Sequence, residues 1–147
     1  MICIINILQE TMMTQLSFLS MGQAKKQLKR DHFLKAMDTV IPWSRFCDLV
    51  KPHYKDERMG RKRMSLERML KIICLQQWYG FSDPAMEEEI YDRASFQKFL
   101  NLDLIHDPVP DETTILKFRH LLEKHDLFKA LFGLYNLFKV RNKLRYI

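Results

Sequence analysis

The sequence predicts an all-α, single multi-helix domain with a helix-turn-helix-like C-terminal part. Three observations carry that reading. Apolar residues recur at three- and four-residue spacing through most of the chain, the pattern of helices that bury one face. No stretch sustains the apolar–polar alternation of a half-buried strand, and four glycines in the whole chain leave little for hairpin turns. A chain of 147 residues with 47% hydrophobic and 29% charged residues has the size and composition of one domain with one core.

The first eight residues, MICIINIL, are an apolar run without a basic segment before it or a small-residue cleavage site after it, and Gln9 and Glu10 follow directly. The run is too short to cross a bilayer, which takes roughly 20 residues. Residues 1–12 are read as an extension upstream of the domain, with Met1 and Met13 as alternative starts, and no function is attached to them. From Lys25 onward, Phe33, Leu34, Met37, Val40 and Ile41 fall at helical spacing. Pro42 then opens a second short helix carrying Trp43, Phe46 and Leu49, and Pro52 ends it.

A basic loop, Lys51 to Arg63, separates these helices from the next. Ser65 caps a helix to about Tyr79, in which Leu66, Met69, Leu70, Ile72, Ile73, Leu75 and Trp78 cover most of the circumference, as expected of a buried central helix. Gly80 stops it, and Asp83-Pro84 starts another. Glu87, Glu88 and Glu89 suit the positive end of that helix better than a metal site. Ser95 to Asn101 forms a short helix burying Phe96, Phe99 and Leu100, and Leu102 to Pro110, rich in Asp and Pro, is a linker. Asp111 then caps a helix with an inward stripe of Ile115, Phe118, Leu121 and Leu122. The last helix has an apolar stripe of Leu127, Phe128, Leu131, Leu134, Tyr135 and Phe138, which either folds back on the core or serves self-association. Lys139, Arg141, Lys143 and Arg145 belong to a frayed basic tail.

Charge bears on function next. The formal balance is +6 and the sequence pI about 9.3, which favours a polyanionic partner without requiring one. The cations cluster. Arg61, Lys62 and Arg63 beside Gly60 form a patch suited to neutralising phosphates, although charged loops are commonly only solvated. Lys25, Lys26, Lys29 and Arg30 form a weaker cluster, interrupted by Asp31. On the helix after Asp111, the face opposite the apolar stripe carries Thr113, Thr114, Lys117, His120 and Lys124. Hydroxyls and cations on an exposed helix are what a DNA-reading helix needs, and they are equally what a solvated face contains.

Catalytic chemistry finds little footing. Cys3, Cys47 and Cys74 make no CxxC and are odd in number, which fits a reducing cytoplasm better than a disulfide framework. The five histidines show no paired-ligand spacing, no phosphate-cradling glycine loop is present, and Cys74 lies on the most apolar helix, where burial disfavours a thiolate. No cofactor, metal or catalytic residue is predicted.

Several blocks in order resemble a known family: TQLSFLS, FLKAMDTVIPW, GRKRMSLERML, LQQWYGFSDPAMEEEIYD and PDETTILKFRHLLEKH, spanning about Thr14 to Phe132. They resemble the N-terminal domain of bacterial insertion-sequence transposases of the insertion-sequence-five (InsH-like) family. The resemblance implies a helical DNA-binding domain over residues 13–132, a divergent basic tail over 133–147, and a chain that stops before the acidic metal-binding catalytic core. It implies binding of double-stranded DNA at the element's terminal inverted repeats, through Arg61, Lys62, Arg63, Thr113, Thr114, Lys117, His120 and Lys124. The alternatives are an interaction module that inhibits intact transposase, with a second copy or the intact enzyme as partner, and an inert pseudogene product. A minimal nuclease is disfavoured by the missing acids, and no membrane partner is expected.

Overall fold

A computed structural model describes residues 28–54 and 63–141, with side chains as far as Phe138. Among the described residues are seven helices and no strand: α1 (Lys29–Val40), α2 (Trp43–Val50), α3 (Leu66–Tyr79), α4 (Asp83–Asp92), α5 (Ala94–Phe99), α6 (Glu112–Lys124) and α7 (Leu127–Arg141). One buried cluster draws on all seven, so the all-α, single-domain expectation holds.

The ends of the helices follow from local chemistry. At the start of α1, Asp31 reaches back to the Leu28 N–H at 3.2 Å, and Pro42 blocks continuation past Ile41, whose N–H bonds to the Met37 carbonyl at 3.0 Å. Gly80 ends α3 in the left-handed region at φ 70. Ser82, rather than Asp83, caps α4, its hydroxyl accepting from the Ala85 N–H, with Pro84 in the first turn. Ser65 occupies the expected cap position of α3 but makes no side-chain capping bond. The short helix runs Ala94–Phe99 rather than from Ser95 to Asn101, since Asn101 turns into the left-handed region at φ 48.

Helix α3 is the axis of the core, as its all-round apolar pattern predicts. Met69, Leu70, Ile72, Ile73 and Leu75 are buried, and the helix packs on α2, α4 and α6. On α2 the predicted face is corrected at one position. Leu49 is 36% exposed and Val50 is fully buried, because a 100° step per residue brings Val50, not Leu49, onto the line of Trp43 and Phe46. The stripe on α7 folds back: Leu127 and Leu131 are buried, Phe128, Leu134 and Tyr135 are partly buried, and the helix packs on α2 and α6. Its backbone stays helical to Arg141, so Lys139 and Arg141 lie in the helix rather than in a frayed tail.

Two buried polar residues on α3 were not anticipated. Lys71 lies between Asp38 (2.8 Å) and Glu67 (3.0 Å), its ammonium 5.2 Å from the ring centroids of both Trp43 and Phe99. Gln76 donates to Asp83 Oδ1 at 2.8 Å and accepts from the Arg119 guanidinium at 3.0 Å, while Arg119 also reaches Asp83 Oδ1 at 2.6 Å. A polar side chain persists in such surroundings only when paired, and here each partner comes from another helix or another turn. The network ties α3, α4 and α6 together.

Candidate nucleic-acid interface

Helix α6 begins where two carboxylates satisfy its first amides. Asp111 Oδ1 accepts from the Thr114 N–H at 2.7 Å and from the Thr113 hydroxyl at 3.0 Å, the capping expected of it. Glu87, projecting from α4, accepts from the Glu112 N–H at 2.7 Å. Two of the acids on α4 therefore have structural partners: Glu87 caps a neighbouring helix, and Glu89 pairs with Arg93 one turn on, while Glu88 is exposed.

From that fixed start the helix sorts its faces by period. Ile115, Phe118 and Leu122 are buried and Leu121 is half-buried. At about 100° per residue, Thr113, Lys117, His120 and Lys124 fall within roughly 60° of arc on the far side, and all four are exposed. Lys117, His120 and Lys124 form no ion pair among the described residues. Thr114 departs from this stripe; it is half-buried and turns toward the adjoining groove.

That groove has a volume of about 780 Å³ and lies between the start of α3, the linker and α6. Its walls bring together residues that the sequence keeps far apart: Tyr54 and Arg63 from the two edges of the basic loop, and Thr114, Lys117 and Phe118 from α6. Tyr54 donates its hydroxyl hydrogen to the Met64 carbonyl at 2.9 Å, meets Phe118 edge-on at 5.5 Å, and carries the Arg63 guanidinium 5.0 Å from its ring centroid. The acids of the groove have partners within the protein. Asp107 pairs with Arg68 at 3.0 Å, and Asp111 is engaged in the cap. Arg68 also donates to the Asn101 carbonyl at 2.8 Å and the Leu100 carbonyl at 3.2 Å, which fastens the linker to α3.

Further along the same side, His53 stacks on His125 with ring centroids 4.0 Å apart. Desolvation, with the charges of His53 and Lys124 adding to it, holds the His125 imidazole below its ordinary pKa of 6.5. His53 and Tyr54 at one edge of the basic loop, and Arg63 at the other, thus all lie alongside α6.

Of the predicted contact residues, Arg63, Thr114 and Lys117 converge on the groove, and Thr113, His120 and Lys124 extend from it along α6. Arg61, Lys62, Lys25 and Lys26 lie outside the described residues, as do residues 1–12. Sequence reasoning missed Tyr54, Arg68, Arg119 and the His53–His125 pair. The one available signal was Tyr54, an aromatic set at the edge of a cationic loop. Burial pushes the Cys74 thiol up to about 12, the disfavoured thiolate expected of its place on the most apolar helix. Among the described residues no group of three His, Cys, Asp or Glu side chains is placed to hold a metal ion, and no helix is long and apolar enough to cross a membrane.

An exposed hydroxyl-and-cation stripe on a well-anchored helix, beside a cationic groove, defines a helical module with a surface suited to an anionic polymer. Residues 22–121 match the family described as Transposase domain (DUF772), and the chain belongs to that family. The match takes in α1 to most of α6 and so includes the groove and the start of the stripe. No solved structure matches the chain.

Proposed function

We propose that this chain is a DNA-binding module of an insertion-sequence transposase, of the insertion-sequence-five (InsH-like) kind, which engages double-stranded terminal inverted repeats of its element and does not itself cleave them. The observation that carries the reading is the meeting of Arg63 with Thr114 and Lys117 at one groove, continuous with His120 and Lys124 on α6. Membership of a transposase-domain family supports a DNA partner over other polyanions. Lys117, His120 and Lys124 supply charge and base-edge donors, and Arg63 with Thr114 supplies phosphate contacts, to which Arg61 and Lys62 of the same loop add.

Fluorescence anisotropy tests it. The full chain is titrated with a duplex of the flanking inverted repeat and with a scrambled duplex, at salt from about 50 to 200 mM. Tighter binding of the repeat, steep loss with salt and no nicking in magnesium are expected. Lys117→Ala reduces the salt slope by about 1 if it contacts one phosphate, or erodes the preference if it reads a base. Equal, weak binding of both duplexes defeats the proposal.

A second reading has one observation in its favour. Phe132 is 65% and Leu137 59% exposed on α7, one on either flank of the stripe that folds back, which suits association with another copy or with an intact transposase. Sedimentation of the full chain distinguishes the two readings, since a monomer that binds duplex leaves no role for that face in self-association.

A further inference from the structure

The groove has features that a backbone-phosphate contact does not use. Its lining also includes the apolar side chains of Phe118, Leu121 and Val109, together with Tyr54, which carries a guanidinium over its ring. Its volume of about 780 Å³ falls within the range of sites that enclose small molecules, roughly 300–1,000 Å³. A phosphate ester alone has no need of an aromatic or of buried apolar surface. A planar heterocycle joined to a phosphate uses both.

We propose that this groove receives a single unstacked nucleotide of DNA, its base against Tyr54 and the apolar wall and its phosphate on Arg63 and Lys117. The proposal rests on the assignment of this face to DNA for the source of the nucleotide. Arginine planes and aromatic rings stack on any base, because every base has a π-face, so the site is tolerant of sequence. Thr114 and Ser65 hydroxyls line the same walls and suit the sugar or phosphate oxygens. Asp107 does not repel the phosphate, being neutralised by Arg68 at 3.0 Å. An acidic peptide is the weaker fit, since carboxylates use the cations and leave the ring and apolar wall without purpose. The groove thus suits a strand end or a base extruded from the bound duplex.

The test uses the full chain and four probes. Proton–nitrogen NMR titrations compare dTMP, inorganic phosphate and a hexaglutamate peptide, and anisotropy compares a blunt duplex with the same duplex carrying a single-stranded overhang. Expected are dTMP-induced shifts at Tyr54, Thr114 and Lys117, and dTMP affinity above that of phosphate by about 5-fold or more, the lower bound for stacking one base. The overhang should tighten duplex binding by a similar factor. Tyr54→Phe keeps the ring and retains the preference, whereas Tyr54→Leu abolishes it. Because Tyr54→Leu also disturbs packing on Phe118, Lys117→Ala at an exposed position serves as the second variant and lowers dTMP affinity without unfolding. Phosphate or hexaglutamate binding as tightly as dTMP, or shifts lying away from the groove, overturns the proposal. Duplex binding without any dTMP response overturns it while sparing the DNA reading. A dTMP response in the groove without duplex binding supports the groove and overturns the duplex reading.

Discussion

Removing the Arg119 side chain tests whether α6 is held in place by polar pinning as well as by its apolar stripe. Arg119→Ala deletes one bond to Gln76 Oε1 at 3.0 Å and one to Asp83 Oδ1 at 2.6 Å. Hydrogen bonds to charged groups contribute about 1.5–3 kcal/mol each, and an orphaned buried acceptor costs about 1–3 kcal/mol. Full addition would overstate the loss. The Arg119 side chain is 31% exposed, so water screens part of the interaction, and Asp83 keeps its bond from Gln76. Gln76 Oε1, on a residue only 3% exposed, is the atom left without its donor. Weighing these, the substitution costs about 2–3 kcal/mol. Urea unfolding followed by Trp43 and Trp78 fluorescence measures this as a lowered midpoint at unchanged slope. A double-mutant cycle with Gln76→Leu should return a coupling of about 1 kcal/mol or more. A loss below about 0.5 kcal/mol would class Arg119 with ordinary surface positions and refute the pinning. The same variant separates positioning from contact: Arg119 lies well off the arc of Lys117, so Arg119→Ala should weaken duplex binding without changing the salt slope or the sequence preference, one of which Lys117→Ala alters.

Three further outcomes are expected. Gly80→Ala should destabilise by about 1 kcal/mol through left-handed backbone strain alone, since an added Cβ at φ +70 meets nothing within 4 Å; a neutral result by thermal melting would contradict this. Lys71→Ala should cost about 3 kcal/mol, whereas Lys71→Met, which fills the same space and leaves Asp38 and Glu67 nearly half exposed to water, should cost about 1 kcal/mol or less; equal losses in denaturant titrations would show that charge rather than packing dominates. Because the folded His125 binds protons more weakly than the unfolded residue, stability is full above its ordinary 6.5 and falls as pH drops below that value toward the lower folded pKa, and His53→Asn should flatten the decline in a melting-temperature series between about pH 5 and 7.5.

The fold was legible where apolar period and helix punctuation agreed. The all-round apolar face of α3 announced the central helix, Gly80 its end, and Asp111 the start of α6, because each is a local effect of residue type on backbone geometry. The Leu49–Val50 exchange is a matter of the same scale: two adjacent apolar residues at a helix end differ by one 100° step, and counted from Trp43 and Phe46 that step favours Val50, which is the one buried. The exposed stripe of α6 was readable as the complement of its apolar one. The groove was not, since it depends on Arg63 and Tyr54 arriving beside Thr114 and Lys117 across some fifty positions of sequence, and no period encodes that meeting. Lys71 offered a signal that went unused: a cation inside a helix apolar on every side must find acids elsewhere.

Apolar burial alone leaves an axial helix such as α3 poorly oriented, because hydrophobic packing has no direction and a helix buried all round can rotate or slide at small cost. Three of the polar side chains on that helix remove that freedom in three directions. Arg68 fastens the linker through the Leu100 and Asn101 carbonyls and Asp107, Lys71 fastens α1 through Asp38, and Gln76 fastens α4 and α6 through Asp83 and Arg119. Two of these pins bear on the interface. Arg68 sets the linker wall of the groove, and Gln76 with Arg119 sets the roll of α6 about its axis, while Glu87 and Asp111 fix where that helix begins. A stripe only about 60° wide can meet the proposed duplex only if that roll is fixed, so under that proposal the buried amide on α3 and the exposed cations on α6 are two ends of one mechanical requirement.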